Sequence, residues 1–119
     1  TLTPRNREFF NGVHFEQDVR KAVHEADAVI ALRLQKERMD DSLLPSMREY
    51  RNFFGITREV LEQASPSALI MHPGPINRGV ELDSEMADSD QSVILEQVTN
   101  GVAVRMAVLF LLSGGRASE

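Results

Sequence analysis

The chain has 119 residues, a formal net charge of −5, 42% hydrophobic and 26% charged residues, and neither Cys nor Trp. This composition is typical of one soluble globular domain, and the lack of Cys excludes disulfides, a thiol nucleophile and a thiolate zinc site. The acidic balance gives no general attraction for nucleic acid or an anionic membrane, so an anionic ligand would need individually placed bases. No segment resembles a signal peptide, and the longest uncharged apolar run, residues 106–112, is too short for a membrane helix.

Strands and helices alternate along the first half of the chain. Residues 12–15 are predicted as a short strand, and the apolar residues after it have helical spacing: Val19, Ala22, Val23 and Ala26. Residues 28–32 form a continuous apolar run too short for a helix, which indicates a central parallel strand that is apolar on both faces. A charged loop follows over residues 33–45.

Two more helices and a further strand come after this loop. The first helix ends before Gly55 and carries Met47, Tyr50 and Phe54. Thr57 is the predicted N-cap of the second helix, which ends before Pro66 and carries Val60, Leu61 and Ala64. With a strand at residues 68–71, this order predicts an α/β fold with a parallel, doubly wound, Rossmann-like sheet.

The last part of the chain combines an acidic segment with a long helix. Residues 81–90 contain five acids and no bases, which is typical of a solvated loop and less often of a metal site. Residues 91–112 have the longest helical pattern, and from Val102 onwards only Arg105 is not apolar. Burying six such side chains is worth roughly 9 to 18 kcal/mol, so something beyond a small sheet is expected to pack against this helix.

Ligands of doubly wound sheets bind beyond the carboxyl ends of the strands, where two polar segments of this chain fall. In the first, Arg33 and Gln35 lie two residues apart and would point the same way if the extended geometry continues. A cation and an amide placed in this way suit a dicarboxylate or an amino acid. The alternative is a solvated loop with surface ion pairs among Lys36, Glu37 and Arg38.

The second segment begins with His-Pro-Gly-Pro at residues 72–75. Pro73 and Pro75 fix φ and remove two backbone donors while every carbonyl stays, so the turn is a rigid set of acceptors suited to an amine or ammonium group. An X-Pro bond in this turn is also a candidate for the cis form. The alternative is a plain stiff turn in which His72 makes structural hydrogen bonds.

Other candidate residues carry weaker signals. Arg78 could serve an anion or pair with Glu81, and the sequence favours neither. His14 and His24 lie in a predicted strand and helix, and neither is a predicted ligand. The sequence has no glycine-rich phosphate loop, metal-spaced His pair or Ser/His/Asp arrangement.

Three motifs stand out when they are taken together. They are Leu-Arg-Leu-Gln-Lys-Glu-Arg-Met at residues 32–39, His-Pro-Gly-Pro-Ile-Asn-Arg-Gly at 72–79 and Gln-Val-Thr-Asn-Gly-Val-Ala-Val-Arg-Met at 97–106. In order and spacing they resemble the aspartate-binding half of the aspartate carbamoyltransferase family, and the resemblance spans nearly the whole chain. Ornithine carbamoyltransferases have a similar fold but carry Cys after the His of the corresponding turn. Because this chain has Pro73 there, the resemblance favours aspartate.

The resemblance implies transfer of a carbamoyl group from carbamoyl phosphate to the α-amine of L-aspartate in pyrimidine synthesis, without a metal or organic cofactor. It assigns Arg33 and Gln35 to the aspartate carboxylates, and the carbonyls of Pro73 and Gly74 to the amine and carbamoyl groups. It also implies that the loop over residues 36–45, which begins at Lys36, closes on the substrate. Glu37 and Arg38 in this loop would exchange ion pairs between the open and closed states. No nucleophile is expected, because positioning and electrostatics carry such a reaction.

The resemblance further implies that part of the family's chain is missing. The carbamoyl phosphate-binding domain and the start of the aspartate-binding domain, which supplies another substrate-binding Arg, have no counterpart here. Residues 1–89 would then be an incomplete three-layer sandwich domain, residues 90–112 a helix that packs on the missing domain, and residues 113–119 a flexible tail. Alone, the chain is expected to be inactive and to self-associate through its last helix.

The same resemblance implies a cytoplasmic homotrimer with sites between subunits, and neither nucleic acid nor membrane as a partner. The sequence leaves open whether regulatory chains or dihydroorotase bind. It also leaves two other functions open: a carbamoyltransferase for another amine acceptor, and a noncatalytic homologue that supports a partner enzyme. Arg33, Gln35 and Pro73 argue against both.

Overall fold

Two short parallel strands, β1 (Ala28–Ile30) and β2 (Leu69–Met71), form the sheet of a computed structural model that describes residues 10–35 and 46–114. Val29 lies opposite Ile70 in the register. The helices described with them are α1 (Val19–Ala22), α2 (Met47–Phe54), α3 (Arg58–Leu61), α4 (Ser84–Ala87) and α5 (Ile94–Leu112). The predicted closing loop with Lys36, Glu37 and Arg38, and most of the predicted tail, lie outside the described residues.

The second edge of β2 is paired with the segment that leads into α5. The Ile70 amide donates to the Gln91 carbonyl at 2.8 Å, and the Val93 amide donates to the Ile70 carbonyl at 3.0 Å. Because these residues bond to the sheet first, α5 begins at Ile94, later than the predicted residue 91. In the described sheet β2 is therefore the central strand and β1 lies at an edge.

The hydrophobic core lies on one face of this sheet. Val29 and Ile70 point to that face from the two strands, since alternate residues of a strand face opposite sides. Helices and loops contribute the other buried members, so that the core consists of Val23, Val29, Ala31, Ile56, Val60, Leu61, Ile70, Leu82, Met86, Ala87 and Ile94.

The opposite face of the sheet is uncovered in the described part of the chain. Ile30 is 57% exposed, and Leu32 and Leu69 are exposed beside it. The prediction that the first of these strands is central and buried on both faces is therefore wrong for β1 as described. Burial of both faces requires a second layer of helices and a further strand, which residues 10–35 and 46–114 do not supply. The chain thus forms part of an α/β domain.

Residues 12–15 do not form the predicted strand. Gly12 lies in a turn with a φ of +80°, and the Val13 amide donates to the Phe10 carbonyl at 3.1 Å. A strand needs a neighbour that exchanges ladder hydrogen bonds, and the described residues offer this segment none. The following helix is also shorter than predicted, because α1 ends at Ala22 and Glu25 adopts a left-handed φ of 57°.

Side-chain caps fix the starts of α2 and α3. The Ser46 hydroxyl accepts a hydrogen bond from the Glu49 amide at 3.0 Å, and the Thr57 hydroxyl accepts one from the Val60 amide at 3.4 Å. Each bond satisfies a backbone donor that a helix start leaves unpaired. The predicted N-cap at Thr57 is therefore confirmed.

The acidic segment is not the predicted solvated loop. It contains α4, and Glu81 is buried at 2% exposure. Asp83 accepts three hydrogen bonds from Arg51, and Glu85 pairs with Arg58, so arginines of neighbouring elements neutralise these two acids. Within the described residues, no group of three or more His, Asp or Glu could hold a metal ion.

Helix α5 exposes apolar side chains around its circumference. The exposed ones are Leu95, Val98, Val102, Val104, Met106, Val108, Leu109, Phe110, Leu111 and Leu112. By length and composition alone this helix could cross a membrane, which the short uninterrupted apolar run in the sequence did not indicate. Length and composition do not separate a membrane segment from a helix that packs on another protein surface.

Candidate functional site

The loops that follow β1 and β2 lie beside each other at the carboxyl end of the sheet. Parallel pairing brings the ends of both strands to one edge. Asn77 in the second loop donates from Nδ2 to the Leu34 carbonyl in the first loop at 3.0 Å. The structure therefore brings together the two segments that contain the predicted binding residues.

The first loop begins directly after β1, at Ala31. Ala31 and Leu34 are both buried, at 7% and 6% exposure, so the alternation of β1 is not maintained. Arg33 is partly exposed and Gln35 is exposed. Arg33 and Gln35 flank the buried Leu34, whose carbonyl accepts the hydrogen bond from Asn77.

The turn at residues 72–75 directs its backbone donors into the protein. The His72 amide donates to Oε1 of Gln97 in α5 at 2.8 Å, and the Gly74 amide donates to Nδ1 of His72 at 2.8 Å. Within the described residues, the carbonyls of Pro73 and Gly74 accept no hydrogen bond. The Gly74–Pro75 bond is cis, as the sequence allowed, and Gly74 has a φ of +68°, which favours glycine. The turn therefore holds unused acceptors in a fixed place.

His72 has a structural role in this turn. Its side chain is 0% exposed, and Nδ1 accepts the Gly74 hydrogen bond. These contacts assign the proton of the neutral ring to Nε2, which lies 3.3 Å from Oε1 of Glu81. Because both ring nitrogens face protein groups, this arrangement corresponds to the structural alternative rather than to a catalytic histidine.

Glu81 is a buried residue of the site that sequence reasoning missed. Its Oε1 accepts a hydrogen bond from the Asn77 amide at 2.6 Å. The same oxygen lies 3.3 Å from Nε2 of His72, but these two atoms do not form a hydrogen bond. Nothing in the sequence of the acidic segment distinguishes Glu81 from the other acids there, which are less buried. Its spacing of four residues from Asn77 is a local signal, but such spacing is common in loops.

Arg78 pairs with Asp88 and not with Glu81. The two terminal nitrogens of the guanidinium contact the Asp88 carboxylate at 2.6 and 2.8 Å, and this hydrogen bonding lowers the pKa of Asp88. Glu81 is turned inward and is unavailable at the surface where Arg78 lies. The predicted alternative of an Arg78–Glu81 pair is therefore wrong.

A cavity of about 840 Å³ lies elsewhere, between α1, α2 and α3. None of the predicted site residues lines it. Its basic side chains already have acidic partners, in the pairs Arg20–Glu59, Arg51–Asp83 and Arg58–Glu85. Its size therefore does not make it a better candidate than the two loops, where backbone acceptors stay unused.

Two parallel strands with helices packed on one face form part of an α/β domain, a class whose ligands bind beyond the carboxyl ends of the strands. Residues 6–112 match the family model described as aspartate/ornithine carbamoyltransferase, Asp/Orn binding domain. The chain belongs to this family.

Relatives and solved structures agree with the family assignment. The aspartate carbamoyltransferase catalytic subunit of Citrifermentans bemidjiense is 55% identical over 119 residues, which cover 100% of this chain and 38% of that protein. The chain spans about a third of the length of the curated relatives it matches.

Two solved structures have the same fold over most of the chain. The ornithine carbamoyltransferase from Pyrococcus furiosus has a TM-score of 0.69 and 28% identity, over 83% of this chain and 31% of that one. The aspartate transcarbamoylase from Trypanosoma cruzi, in complex with carbamoyl aspartate and phosphate, has a TM-score of 0.61 and 26% identity, over 76% of this chain and 27% of that one. Because both kinds of enzyme match, the backbone alone does not distinguish the acceptor amino acid.

Proposed function

We propose that this chain is the aspartate-binding part of an aspartate carbamoyltransferase of pyrimidine biosynthesis. The observation that carries the proposal is the Asn77 hydrogen bond to Leu34, which places the loop of Arg33 and Gln35 beside the loop of Pro73 and Gly74. The reaction is proposed from two relatives named aspartate carbamoyltransferase catalytic subunit, which are 56% and 55% identical to this chain.

The proposed reaction joins L-aspartate and carbamoyl phosphate. The amine nitrogen attacks the carbonyl carbon of carbamoyl phosphate, the bond from that carbon to the phosphate oxygen breaks, and the amine loses a proton. The products are N-carbamoyl-L-aspartate and phosphate. The residues of this chain contribute positioning and electrostatic stabilisation, and none forms a covalent bond to substrate.

The chemistry of aspartate fits the groups on the two loops. Arg33 offers a planar cation that can bind a carboxylate with two hydrogen bonds, and Gln35 adds an amide. The unused carbonyls of Pro73 and Gly74 are acceptors for the N–H groups of the amine and the carbamoyl group. Lys36, Glu37 and Arg38 belong to the closing loop in this proposal.

The uncovered surfaces fit the remainder of such an enzyme. The exposed sheet face is where a second helix layer would complete the three-layer sandwich, and α5 is the helix that packs on the carbamoyl phosphate-binding part. In this proposal residues 1–89 belong to the aspartate-binding domain, residues 90–112 to the interdomain helix and residues 113–119 to the tail. The assembly is a cytoplasmic homotrimer, with regulatory chains or dihydroorotase as candidate further partners.

A chimera tests the proposal. The 119-residue chain replaces the segment that it matches in the Citrifermentans bemidjiense catalytic subunit, and carbamoyl aspartate formation is measured. We expect turnover by the chimera and none by the 119-residue chain alone. Arg33→Ala in the chimera should lower kcat/KM for aspartate by about 10- to 100-fold, because a hydrogen bond to a charged group contributes about 1.5–3 kcal/mol.

Arg20→Ala is the matched control, because Arg20 is exposed on α1 away from both loops. It should leave kcat/KM within about twofold of the unmodified chimera. Unchanged kcat/KM for Arg33→Ala would contradict the site. Faster turnover with ornithine than with aspartate would contradict the acceptor, and a folded but inactive chimera would favour the noncatalytic alternative.

A further inference from the structure

A buried carboxylate lies behind the two loops of the site. The side chain of Glu81 is 2% exposed, and that of His72 beside it is 0% exposed. Burying a charged group is costly unless protein groups compensate it, and removal of one partner of a buried pair is strongly destabilising. The contacts of Glu81 lead to both loops of the site.

One set of contacts reaches the loop after β1. Oε1 of Glu81 accepts a hydrogen bond from the Asn77 amide at 2.6 Å. Asn77 in turn donates from Nδ2 to the Leu34 carbonyl at 3.0 Å, between the residues proposed to hold the aspartate carboxylates. Glu81 holds the backbone amide of Asn77, and the side chain of Asn77 holds the loop after β1. Glu81 is therefore linked to that loop through Asn77.

The other set of contacts reaches the turn after β2. Oε1 of Glu81 lies 3.3 Å from Nε2 of His72, and Nδ1 of the same ring accepts the Gly74 amide at 2.8 Å. The ring therefore stands between the carboxylate and the turn whose carbonyls are proposed to orient the amine. The same carboxylate oxygen, Oε1 of Glu81, thus contacts both Asn77 and His72.

We infer that Glu81 is a positioning residue that sets the distance between the carboxylate-binding loop and the Pro73–Gly74 carbonyls. This inference rests on the proposed function of those two loops. An amide in place of the carboxylate keeps the size of the side chain but removes the charge. The amide oxygen can take the place of Oε1 and the NH2 group that of Oε2, which has no hydrogen-bond partner in the described residues, so the change weakens both contacts of Oε1 through the loss of charge.

The test compares two carboxylate-to-amide changes in the chimera. For Glu81→Gln we expect the KM for aspartate to rise about tenfold, with the equilibrium affinity for carbamoyl phosphate within about threefold of the unmodified chimera. Asp83→Asn is the control, because Asp83 lies two residues away and pairs with Arg51 instead of the loops. It should leave both quantities within about twofold.

A second variant separates positioning from a general loss of structure. Asn77→Ala removes the bond to Leu34 without burying a new group and should also raise the KM for aspartate. Because both residues act along one path, the double variant should lose little more than the worse single variant. Fully additive losses would overturn the inference, and if Glu81→Gln does not fold, an unchanged KM in Asn77→Ala would overturn it as well.

A spectroscopic readout is independent of turnover. The Gln35 amide belongs to the same peptide unit as the Leu34 carbonyl, so its NMR resonance in the 119-residue chain reports on the Asn77 bond. Glu81→Gln should shift this resonance and Asp83→Asn should not. An unmoved resonance, or an unchanged KM in a folded and active Glu81→Gln chimera, would refute the inference. An inactive unmodified chimera would instead refute the proposed function.

Discussion

Two isoleucines on the paired strands, Ile70 and Ile30, test the architecture because they occupy opposite faces of the sheet. Ile70 is 0% exposed in the core, whereas Ile30 is 57% exposed on the uncovered face. Ile70→Ala should cost about 2–5 kcal/mol of the free energy of unfolding, because it removes buried atoms and leaves a cavity. Ile30→Ala in the 119-residue chain should cost roughly 1 kcal/mol or less, because much of that side chain already contacts water.

The cost of Ile30→Ala should rise in the chimera. Complete burial of an isoleucine side chain is worth about 1.5–3 kcal/mol, and 57% of Ile30 is left to cover, so a covering layer adds about 1–2 kcal/mol. Ile30→Ala should then cost about 2–3 kcal/mol in the chimera. The cost of Ile70→Ala should change little, because its surroundings are already complete.

Urea unfolding followed by circular dichroism measures these costs in the 119-residue chain, at concentrations where the chain does not associate. In the chimera, native-state hydrogen exchange at β1 and β2 reports the local free energies. Equal costs for the two variants in the 119-residue chain would refute the assignment of the faces. An Ile30→Ala cost that does not rise in the chimera would refute the covering layer.

Two further predictions concern α2 and α5. Burial, and then the charge of Glu81, raises the pKa of Tyr50 above 10.0, so Glu81→Gln should lower it while Glu85→Gln does not. Phenolate absorbance measures this cleanly, because the chain has one Tyr and no Trp. Neutral Tyr50 contributes to the free energy of unfolding, and this contribution is fully present below the pKa that Tyr50 has in the unfolded chain. It is lost as the pH rises through the raised pKa of Tyr50 in the folded chain. Tyr50→Phe should abolish this loss. Replacing exposed Val104, Met106 and Leu109 by Gln should reduce self-association of the 119-residue chain in sedimentation without lowering its unfolding midpoint; a monomeric unmodified chain would contradict this.

Local patterns in the sequence predicted most of the secondary structure correctly. The apolar runs around Val29 and Ile70 are strands, the Thr57 cap starts a helix, and the last helix ends at Leu112. These features depend on residues within one or two turns of each other, so a single chain segment contains the information. The parallel pairing followed from the helices between the strands.

Features that depend on distant residues were predicted less well. Residues 12–15 have the composition of a strand but find no partner in the described sheet, and β1 lies at an edge. Arg78 had two candidate roles in the sequence, and the partner it has, Asp88, was not one of those considered. In each case the outcome depends on which groups the fold brings near, and that information is not local.

The sequence by itself determined the candidate site: Arg33, Gln35, Pro73 and Gly74 follow apolar strands, and parallel strands end at one edge. Only the tertiary structure decided how that edge is held together, through Asn77 and the buried Glu81. In an acidic segment every carboxylate looks solvated, because water is the better solvent for a lone charge. The folded chain buries one of them, Glu81, by bringing the Asn77 amide and the His72 ring to its Oε1.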